Sequence, residues 1–329
     1  MQKTIIFDLN GNDLGLEPGI RASEVFLANN PEYTIILLGD ERAIKQYLPN
    51  HLQIKIHHAP QAVSKSLDNF ASSFKEDNSL NTALKLLKDQ QGAAVLSSAD
   101  SGKYLLSAMM LLKCIPNVSR PAFMSIVPTI DPAKKFLLLD EGANLNTTSN
   151  HLVQWAHLGA SFAKTVLKIN QPRVGLINIG TEDYKGFPFH QEAHQELKNQ
   201  VLSFEYLGFI EPRKILEATC DVAVADGFTG NITLKTLEGT VLAFAKLLKK
   251  RLRQNWFRKL MAAALKPAFK EIKEQLDYRN VGAAWILGIN GLVIKAHGSS
   301  DQKAYVGALN QIKMAIESNA LAEFKKALE

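Results

Sequence analysis

The segment Lys295–Asp301, KAHGSSD, places a lysine, a histidine and an aspartate around a Gly-Ser-Ser turn. A lysine ammonium group and free backbone N–H groups bind anions, and a histidine exchanges protons near neutral pH. The same residues also suit a helix start with Ser299 or Ser300 as N-cap, because Gln302–Ser318 has a helical pattern. Capping and anion binding use the same N–H groups, so we predict that this segment serves both.

A second candidate anion site lies in Ala225–Gly239, where a strand-like run ends and an amphipathic helix follows Asn231. Backbone N–H groups at a helix start attract anions, and glycine lets a ligand approach closely. The alternative is a capped turn in which Thr229 or Asn231 only closes the helix end. Lys185, in the loop Asn178–Gly186, is either a cation for a phosphate or a solvated side chain.

Other common active-site patterns are missing from the sequence. No G-x-G-x-x-G follows the first strand-like run, and neither a P-loop nor a G-x-S-x-G elbow occurs, which disfavours dinucleotide, ATP and serine-hydrolase chemistry. Cys114 and Cys220 form no C-x-x-C motif, so we expect no disulfide, no zinc site and a reducing compartment. His190 and His194 have a spacing that can hold a metal, but no third ligand is apparent. We therefore predict two histidines on a solvated helix, no metal and no cofactor.

Short β-branched or aliphatic runs alternate with helical patterns along the chain. Strands that are apolar on both faces, separated by helices, predict a largely parallel sheet with helices on both sides. Ligands bind beyond the carboxyl ends of strands in such sheets, and small, amide and acidic residues follow several of the runs, so we expect one functional edge. The strand-like runs are KTIIFDL, YTIILLG, LQIKIHH, GAAVLSS, KKFLLLD, RVGLINIG, DVAVAD and GLVIKAHG, and the helical segments include Glu24–Asn29, Leu80–Gln90, Gly102–Lys113, His151–Lys168 and His190–Gln200.

The positive charge of the chain is concentrated in one segment. The whole chain carries +6, whereas Lys246–Lys273 holds ten basic residues against Glu271 alone, a charge of +9 that leaves −3 for the remainder (6 minus 9). The surrounding Leu242–Leu276 has a helical pattern, continuous to Leu265, with a second helix starting near Pro267. It predicts a basic helical hairpin that projects from the body of the protein.

Nine segments of the chain occur in the order found in one known family. From about Thr4 to Ser318, the sequence resembles the acyl-acyl-carrier-protein:phosphate acyltransferases of bacterial phospholipid synthesis, the PlsX family. The resemblance implies a single α/β domain over residues 1–329, a three-layer α/β/α sandwich like that of isocitrate and isopropylmalate dehydrogenases and phosphotransacetylases, and a homodimer. It also implies transfer of a fatty acyl group from carrier-protein thioester to inorganic phosphate, with a downstream glycerol-3-phosphate acyltransferase as a further partner. The segments are FDLNGND, LSSADSG, RPAFMSIVPT, FLLLDEGAN, HLVQWAHLG, PRVGLINIG, EDYKG, DVAVADGFTGNITLKTLEG and LGINGLVIKAHGSSD.

In such a reaction phosphate attacks a thioester carbonyl, whose oxygen gains negative charge. The protein therefore has to hold an anion and place donors where the oxyanion develops. The family's active-site lysine and asparagine fall on Lys185 and Asn231, and His297 could take a proton from dihydrogen phosphate. Neither a covalent intermediate nor a metal is required, since phosphate is itself a nucleophile. The phosphate- and substrate-binding candidates are Asp8, Gly11, Ser98, Asp100, Ser101, Gly102, Asn144, Asp226, Gly227, Gly230, Lys295, Gly298, Ser299 and Ser300.

The basic hairpin has three candidate partners. Cationic and aromatic side chains together suit an anionic membrane surface, which is the first choice and which the resemblance also implies. The alternatives are the acidic carrier protein and the second subunit of a dimer, whereas no nucleic-acid-binding module is recognisable. No apolar run approaches the about 20 residues that span a bilayer and no signal-peptide core is apparent, so we expect a cytoplasmic protein peripherally associated with membrane. The contact candidates are Lys249, Lys250, Arg251, Arg253, Trp256, Phe257 and Leu260.

Three segments depart from the family pattern. An acid at Asp100 would repel phosphate unless Lys103 or another cation compensates. Two alternatives to the family activity stay open: a phosphotransacetylase-like enzyme of the same fold that uses acyl-coenzyme A, and, because of these departures, a catalytically weak homologue that docks at membranes. The acyl-chain preference lies beyond the sequence. The departing positions are Leu9, Asn10, Asn12, Asp100, Lys103, Val281, Ala283 and Trp285.

Overall fold

The computed structural model describes residues 3–48, 51–64, 70–275 and 283–328. Within these residues the chain forms one sheet of eleven strands with helices on both faces. The strands are β1 Thr4–Asp8, β2 Thr34–Gly39, β3 Ile54–His58, β4 Ala94–Ser97, β5 Ala122–Pro128, β6 Lys135–Leu139, β7 Arg173–Ile177, β8 Glu205–Ile210, β9 Val222–Val224, β10 Ala283–Leu287 and β11 Leu292–Ala296. The α-helices are α1 Glu17–Asn29, α2 Glu41–Tyr47, α3 Ser79–Lys88, α4 Ser101–Leu112, α5 Ser149–Thr165, α6 Pro188–Asn199, α7 Gly227–Leu252, α8 Trp256–Ala264, α9 Lys266–Gln275, α10 Gln302–Glu317 and α11 Ala320–Lys326.

The sheet consists of two parallel blocks that run in opposite directions. Its strand order is β3-β2-β1-β4-β11-β10-β5-β6-β9-β7-β8. The first five strands in this order are parallel to one another, and so are the last four. The predicted mostly parallel sheet is confirmed. The expectation of a single edge for all strand ends is wrong, because three successive antiparallel pairings separate β11 from β6.

Helices cover the two faces of the sheet differently. On one face, α1, α5, α10 and α11 pack into one continuous apolar core that includes Trp155. The other face has two separate cores. One lies under α3 and α4, around Tyr104, and the other lies under α7, where Leu234 packs on β6, β7 and β9. The three-layer α/β/α arrangement is the predicted fold, and a strip of sheet between the two cores lacks a helical cover.

The sequence patterns find most elements but miss strands β5, β8 and β10. Burial and pairing with neighbouring strands decide β structure more than the local run of residues does. Helix α1 begins at Glu17 rather than Glu24, because Pro18 is tolerated in a first turn and extends the helix toward the N-terminus. The predicted helices over Leu80–Gln90, Gly102–Lys113, His151–Lys168 and His190–Gln200 correspond to α3, α4, α5 and α6.

Residues 242–275, called the arm below, project from the body of the protein at the place of the predicted hairpin. Helix α7 is continuous from Gly227 in the body, so the arm begins as the second half of a body helix. The expected continuous helix to Leu265 is wrong, because the chain turns after Leu252 and Asn255 caps α8. Leu276, the last residue of the predicted hairpin, and Val281 lie outside the described residues.

The arm returns to the body at its second end. The Gln275 side-chain amide donates to the carbonyl oxygens of Thr129 and Ile130, at 2.9 and 2.8 Å. Among the side chains of the arm that the structure describes, none is buried. Over the described part of the chain, no helix combines the length and the apolar character that crossing a membrane requires.

Gly230 lies where α7 crosses the loop after β6, and a Cβ atom there would lie far inside van der Waals contact with the Asp140 carbonyl oxygen. Gly230→Ala should therefore lower the free energy of unfolding by about 1–3 kcal/mol, the usual cost of overpacking. Gly239 of the same helix has open space around it, so Gly239→Ala should raise that free energy by about 0.5–1 kcal/mol. Urea unfolding measures both changes. A Gly230→Ala protein as stable as Gly239→Ala would contradict this packing of α7.

Candidate active site

The strip of sheet between the two cores is a row of residues that share one face. Lys295 of β11 pairs with Ala284 of β10 and with Ser97 of β4, and Ser97 pairs with Asp8 of β1. Directly paired residues point to the same face, and the register of β5 places Ser125 next to Ala284. Lys295, Ala284 and Ser125 are partly exposed, whereas the residues before and after each of them are buried. These three residues, called the strip below, are an uncovered part of the sheet face between α4 and α7, and the space above them is called the cleft.

The loops after β1, β4 and β11 lock together at one end of the strip, as a first cluster. The Asn12 side chain donates to the Ser300 carbonyl oxygen at 2.8 Å and to the Tyr305 hydroxyl at 2.6 Å. The Tyr305 hydroxyl lies 2.5 Å from that of Ser98. Gly11 has a φ of +87°, and a Cβ atom there would press on the backbone of the β4 loop. Residues from three strand ends therefore meet at one place.

The segment Lys295–Asp301 forms the end of β11 and a turn before α10. Asp301 is the N-cap of α10, and its carboxylate accepts from the Ala304 N–H at 2.9 Å. The prediction of Ser299 or Ser300 as the cap is therefore wrong. Instead, the Ser300 hydroxyl oxygen is buried without a hydrogen-bond partner in the described structure. A buried polar group left unpaired costs energy, so this hydroxyl favours a ligand that would pair with it.

Lys295 is the cation of the first cluster. Burial lowers the pKa of its ammonium group from 10.5 to about 8, while Asp100 and Asp13 act in the opposite direction. Asp100, the acid that departs from the family pattern, is thus compensated by Lys295. At the far end of the row, burial raises the pKa of Asp8 to about 6, although the Ser97 hydroxyl donates to it at 2.7 Å.

The other departures from the family pattern serve local structure. Asp100 also caps α4, where it accepts from the Lys103 N–H at 3.0 Å. The buried Lys103 side chain points away to donate to the Ser64 carbonyl oxygen at 2.7 Å, so it does not compensate Asp100. Ala283 and Trp285 belong to the core on the opposite face of the sheet from the strip. None of these positions removes a candidate ligand from the cleft.

The loop after β6 is organised by the buried carboxylate of Asp140, which the sequence analysis did not single out. It accepts five hydrogen bonds of 2.8–3.2 Å, from the backbone N–H groups of Phe123, Gly142, Ala143 and Asn144 and from the Asn144 side-chain amide. Gly227 and Gly230 pack directly on the backbone of Asn144 and Asp140, where no Cβ atom would fit. At these glycines the close neighbour is the protein's own chain, whereas the sequence suggested a ligand.

Asp226 caps α7 and engages the N–H groups on which an anion site at this helix start would depend. Its carboxylate accepts from the N–H groups of Phe228 and Thr229 at 3.1 and 3.0 Å, and the Gly230 N–H donates to its carbonyl oxygen. Burial would raise the pKa of Asp226, but hydrogen bonds from His190 and Thr229 outweigh it and lower the pKa to about 2. A charged carboxylate thus occupies the cradle that the sequence suggested for phosphate.

His190 joins the loop of Lys185 to the start of α7, in a second cluster. The Phe187 N–H donates to His190 Nδ1 at 3.3 Å, so the ring proton is on Nε2, which faces Asp226 at 3.3 Å. The Asn178 side chain donates to the Lys185 carbonyl oxygen at 3.1 Å and fixes the same loop. The Lys185 side chain itself stays partly exposed.

The expectation of two solvated histidines on α6 is wrong. His190 and His194 are both buried. Nδ1 of His194 lies 2.8 Å from the Tyr206 hydroxyl, and Nε2 lies 3.2 Å from Asp183. Both rings have partners within the protein, which accounts for their spacing without a metal ion.

Helix α7 connects the two clusters across the strip. Asn231, Lys235 and Glu238 lie on one face of the helix and span about 10 Å along its axis. Lys235 and Glu238 act electrostatically on His297, and Glu238 acts on Glu141. The two clusters are therefore on opposite sides of one cleft, although their strands run in opposite directions.

The surroundings of His297 and of Glu141 both favour the uncharged form of the side chain. Partial burial together with the positive charge of Lys295 lowers the pKa of the accessible His297 ring. Burial raises the pKa of Glu141 well above its usual value, although the Ser125 hydroxyl donates to it at 2.6 Å. A neutral imidazole can accept a proton, and a neutral carboxylic acid can be buried without a cation. Sequence analysis missed Glu141, Ser125 and Tyr305, and of these only Glu141, in the acidic pair after β6, had a local signal.

The predicted site residues therefore fall into two groups. The first cluster contains Asp8, Gly11, Ser98, Asp100, Ser101, Gly102, Lys295, His297, Gly298, Ser299 and Ser300, and the second contains Asn144, Lys185, Asp226, Gly227, Gly230 and Asn231.

Lys295 should make the folded protein less stable at neutral pH than at high pH. Because the pKa of Lys295 is about 8 in the folded state and 10.5 for an unperturbed lysine, the unfolded chain binds more protons between these pH values, and stability rises with pH across this window. The free energy of unfolding of Lys295→Met should exceed that of wild type by about 2–3 kcal/mol at pH 7, and this difference should shrink toward pH 10.5. Urea unfolding at several pH values measures this, with the exposed Lys164→Met as control. A pH-independent difference would contradict the buried charge.

Comparison with known proteins agrees with the family that the motifs indicate. A family model described as "Fatty acid synthesis protein" matches residues 4–323. A protein named phosphate acyltransferase from Mycoplasmopsis pulmonis (strain UAB CTIP) is 48% identical over 327 residues, covering 99% of this chain and 100% of the relative. Another protein of that name, from Streptococcus pneumoniae (strain Hungary19A-6), is 38% identical over 323 residues, covering 98% and 97%.

Solved structures show the same fold at low sequence identity. A phosphotransacetylase from Streptococcus pyogenes aligns with a TM-score of 0.63 and 17% identity, covering 96% of this chain and 94% of that chain. The EutD phosphotransacetylase from Staphylococcus aureus aligns with a TM-score of 0.60 and 16% identity, covering 97% and 94%. The fold is thus that of the expected group, and the relatives over the full chain decide the family: this protein is an acyltransferase of the phosphate acyltransferase (PlsX) family.

Proposed function

We propose that the protein transfers a fatty acyl group from acyl-carrier-protein thioester to inorganic phosphate, giving acyl phosphate for phospholipid synthesis. The observation that carries the proposal is the strip, an open part of the sheet face with a partly exposed lysine, which lies between two clusters of polar loops in a chain 48% identical to a phosphate acyltransferase. A reaction that joins an anion to an acyl group needs a cationic site that binds the anion and a separate site that binds the acyl carbonyl. These sites are called the phosphate end and the carbonyl end of the cleft below.

The first cluster supports the phosphate end. Lys295 supplies the positive charge, and the unpaired hydroxyl of Ser300 and the neighbouring Ser98 supply donors. The negative charges of Asp13 and Asp100 stabilise the Lys295 ammonium group when no phosphate is bound. Phosphate held here also lies next to His297, which is neutral near pH 7 and takes a proton from dihydrogen phosphate. The resulting phosphate dianion is the stronger nucleophile.

The second cluster supports the carbonyl end. A phosphate oxygen forms the new bond to the thioester carbon, the C–S bond breaks, and the thiolate leaves and takes up a proton. The Lys185 ammonium group and the Asn231 amide are the donors for the oxygen that becomes negative in between. Lys185 is fixed by Asn178, and Asn231 lies against Gly142 beside the Asp140 loop. The bond from Asn178 holds the backbone of Lys185, while the Lys185 ammonium group lies 4.0 Å from Glu182 and stays partly exposed.

Acyl phosphate formation tests the function and the two donors together. Purified protein, carrier protein loaded with a long acyl chain, and phosphate should yield acyl phosphate and free thiol. Lys185→Ala and Asn231→Ala should each lower kcat about 10²–10³-fold, as loss of one oxyanion donor does. The exposed Lys164→Ala on α5 is the control and should leave kcat unchanged.

Each other outcome of this assay removes one part of the proposal. Turnover with acyl-coenzyme A alone would replace the carrier protein as donor. A folded protein that binds vesicles but has no turnover with either donor would be a docking homologue. Undiminished turnover of both donor variants would remove their assignment.

For the arm, we propose peripheral contact with an anionic membrane. Exposed Trp256, Phe257 and Leu260 lie beside Arg253 on the arm, and no described side chain there is buried. Apolar side chains among cations bind the interface of anionic lipids by insertion and by charge. A cytoplasmic location stays a prediction of the sequence, and the homodimer and a downstream glycerol-3-phosphate acyltransferase stay predictions of the resemblance.

Replacement of two apolar residues of the arm should weaken membrane binding. The double variant Trp256→Ser, Leu260→Ser should bind phosphatidylglycerol vesicles at least about tenfold more weakly. Each large apolar side chain contributes about 1.5 kcal/mol or more when fully buried. Flotation of the protein with vesicles measures this, with Val201→Ser, exposed elsewhere, as control. Neutral vesicles or high salt should also weaken binding. Equal flotation of all variants would mean that Trp256 and Leu260 do not contact the membrane, and would contradict the proposed role of the arm.

A further inference from the structure

Large exposed apolar side chains lie mainly around the second cluster, whereas the first has Phe70, 38% exposed, against Gly102. Six of them are 50–79% exposed, and all lie in the loops after β6 and β7 or in the first turns of α7: Leu145, Ile179, Tyr184, Phe187, Phe228 and Ile232. In the described loops after β1, β4 and β11, the one large exposed apolar residue is Leu14. The two sides of the cleft thus differ in polarity, and the six side chains are called the apolar rim below.

Three residues of the apolar rim, Phe187, Phe228 and Ile232, lie around the start of α7. The Phe187 ring stacks on His190 with 5.8 Å between centroids, and His190 contacts the Asp226 cap that also holds the Phe228 N–H. Ile232 lies one helical turn after Phe228, on the same side of α7. The chain segments that carry the rim therefore meet at one place.

The two proposed carbonyl donors lie within this rim. The Lys185 ammonium group lies over the Tyr184 ring, 5.5 Å from its centroid, and Asn231 immediately precedes Ile232 on α7. An acyl chain whose carbonyl is held by these donors would leave the reaction centre directly along apolar side chains. The opposite end of the cleft offers it charged and hydroxyl groups instead.

We propose that the apolar rim is the binding site for the fatty acyl chain of the substrate. The inference rests on the proposed function, because it takes the position of the acyl carbonyl from Lys185 and Asn231. An exposed apolar surface of this kind marks an interaction site, and its position next to the carbonyl donors favours the acyl chain over a second subunit or the carrier protein. The site binds without a deep cavity, so the chain stays partly in contact with water.

The energetic signature of this site is a dependence of affinity on chain length. Complete burial of one methylene contributes about 0.8 kcal/mol, a factor of about four in affinity. A chain that lies half-buried along the rim should therefore gain about twofold per methylene. Four methylenes would change the dissociation constant about 16-fold.

Alkyl phosphates are stable probes that carry both a phosphate and a chain. Calorimetric titration of the full-length protein with octyl, decyl and dodecyl phosphate below their micelle concentrations should give dissociation constants that fall about 16-fold over the series. Phe228→Gln combined with Ile232→Gln should reduce this to less than about fourfold, because dodecyl phosphate loses more affinity than octyl phosphate. Val25→Gln, at an exposed apolar position of α1, should keep the wild-type series. Circular dichroism and urea unfolding confirm that each variant is folded.

Three results would overturn the inference. An unchanged series in the double variant would place the chain elsewhere. An equal loss for all three probes would mean that the rim orders the phosphate end. A change of oligomeric state by light scattering with an unchanged series would make the rim a contact between copies of the chain. Failure of the proposed function is separate, since wild-type protein that lacks turnover but keeps the chain-length series would retain the rim as an apolar-chain site.

Discussion

The buried carboxylate of Asp140 holds together the part of the molecule on which the cleft depends. It accepts five hydrogen bonds from the loop that follows its own strand and from β5. Burial raises its pKa, and these donors act against that rise. The compact loop that results is the surface on which Gly227 and Gly230 seat α7. Through α7 it sets the positions of Asn231, Lys235 and Glu238, and hence one side of the site.

The cleft itself follows from how strands are connected. Parallel strands need long crossovers, and these place helices over the sheet. In the centre of this sheet, β10 and β11 are joined by residues 288–291, and β5 and β6 by residues 129–134. Such short connections bring no helix with them. The sheet face therefore stays open at Lys295, Ala284 and Ser125, between α4 and α7. Reversal of strand direction, which breaks the predicted single edge, is thus also what makes room for a substrate.

Local signals and distant pairings explain what could be predicted from the sequence. The polar motifs after β1, β4, β9 and β11 are short-range features, and they identified the loops that line the cleft. The same motifs did not reveal which backbone groups were already used, because that depends on Asp226 as a cap and on Asp140 as a partner from another strand. Ser125 comes from the middle of β5, Glu141 from the loop after β6 and Tyr305 from α10. No spacing along the chain connects them, so only the folded structure could bring them into the site.

Helix α7 runs without a break for 26 residues, from the cap at Asp226 to Leu252. At 1.5 Å per residue this is a rod about 39 Å long, with the site at one end and the basic arm at the other. Gln275 fastens the returning chain to the end of β5, so the arm is anchored at both ends. Whatever surface the arm rests on, the mouth of the cleft is held at a set height and tilt above it, and a reactive product leaves from a defined distance.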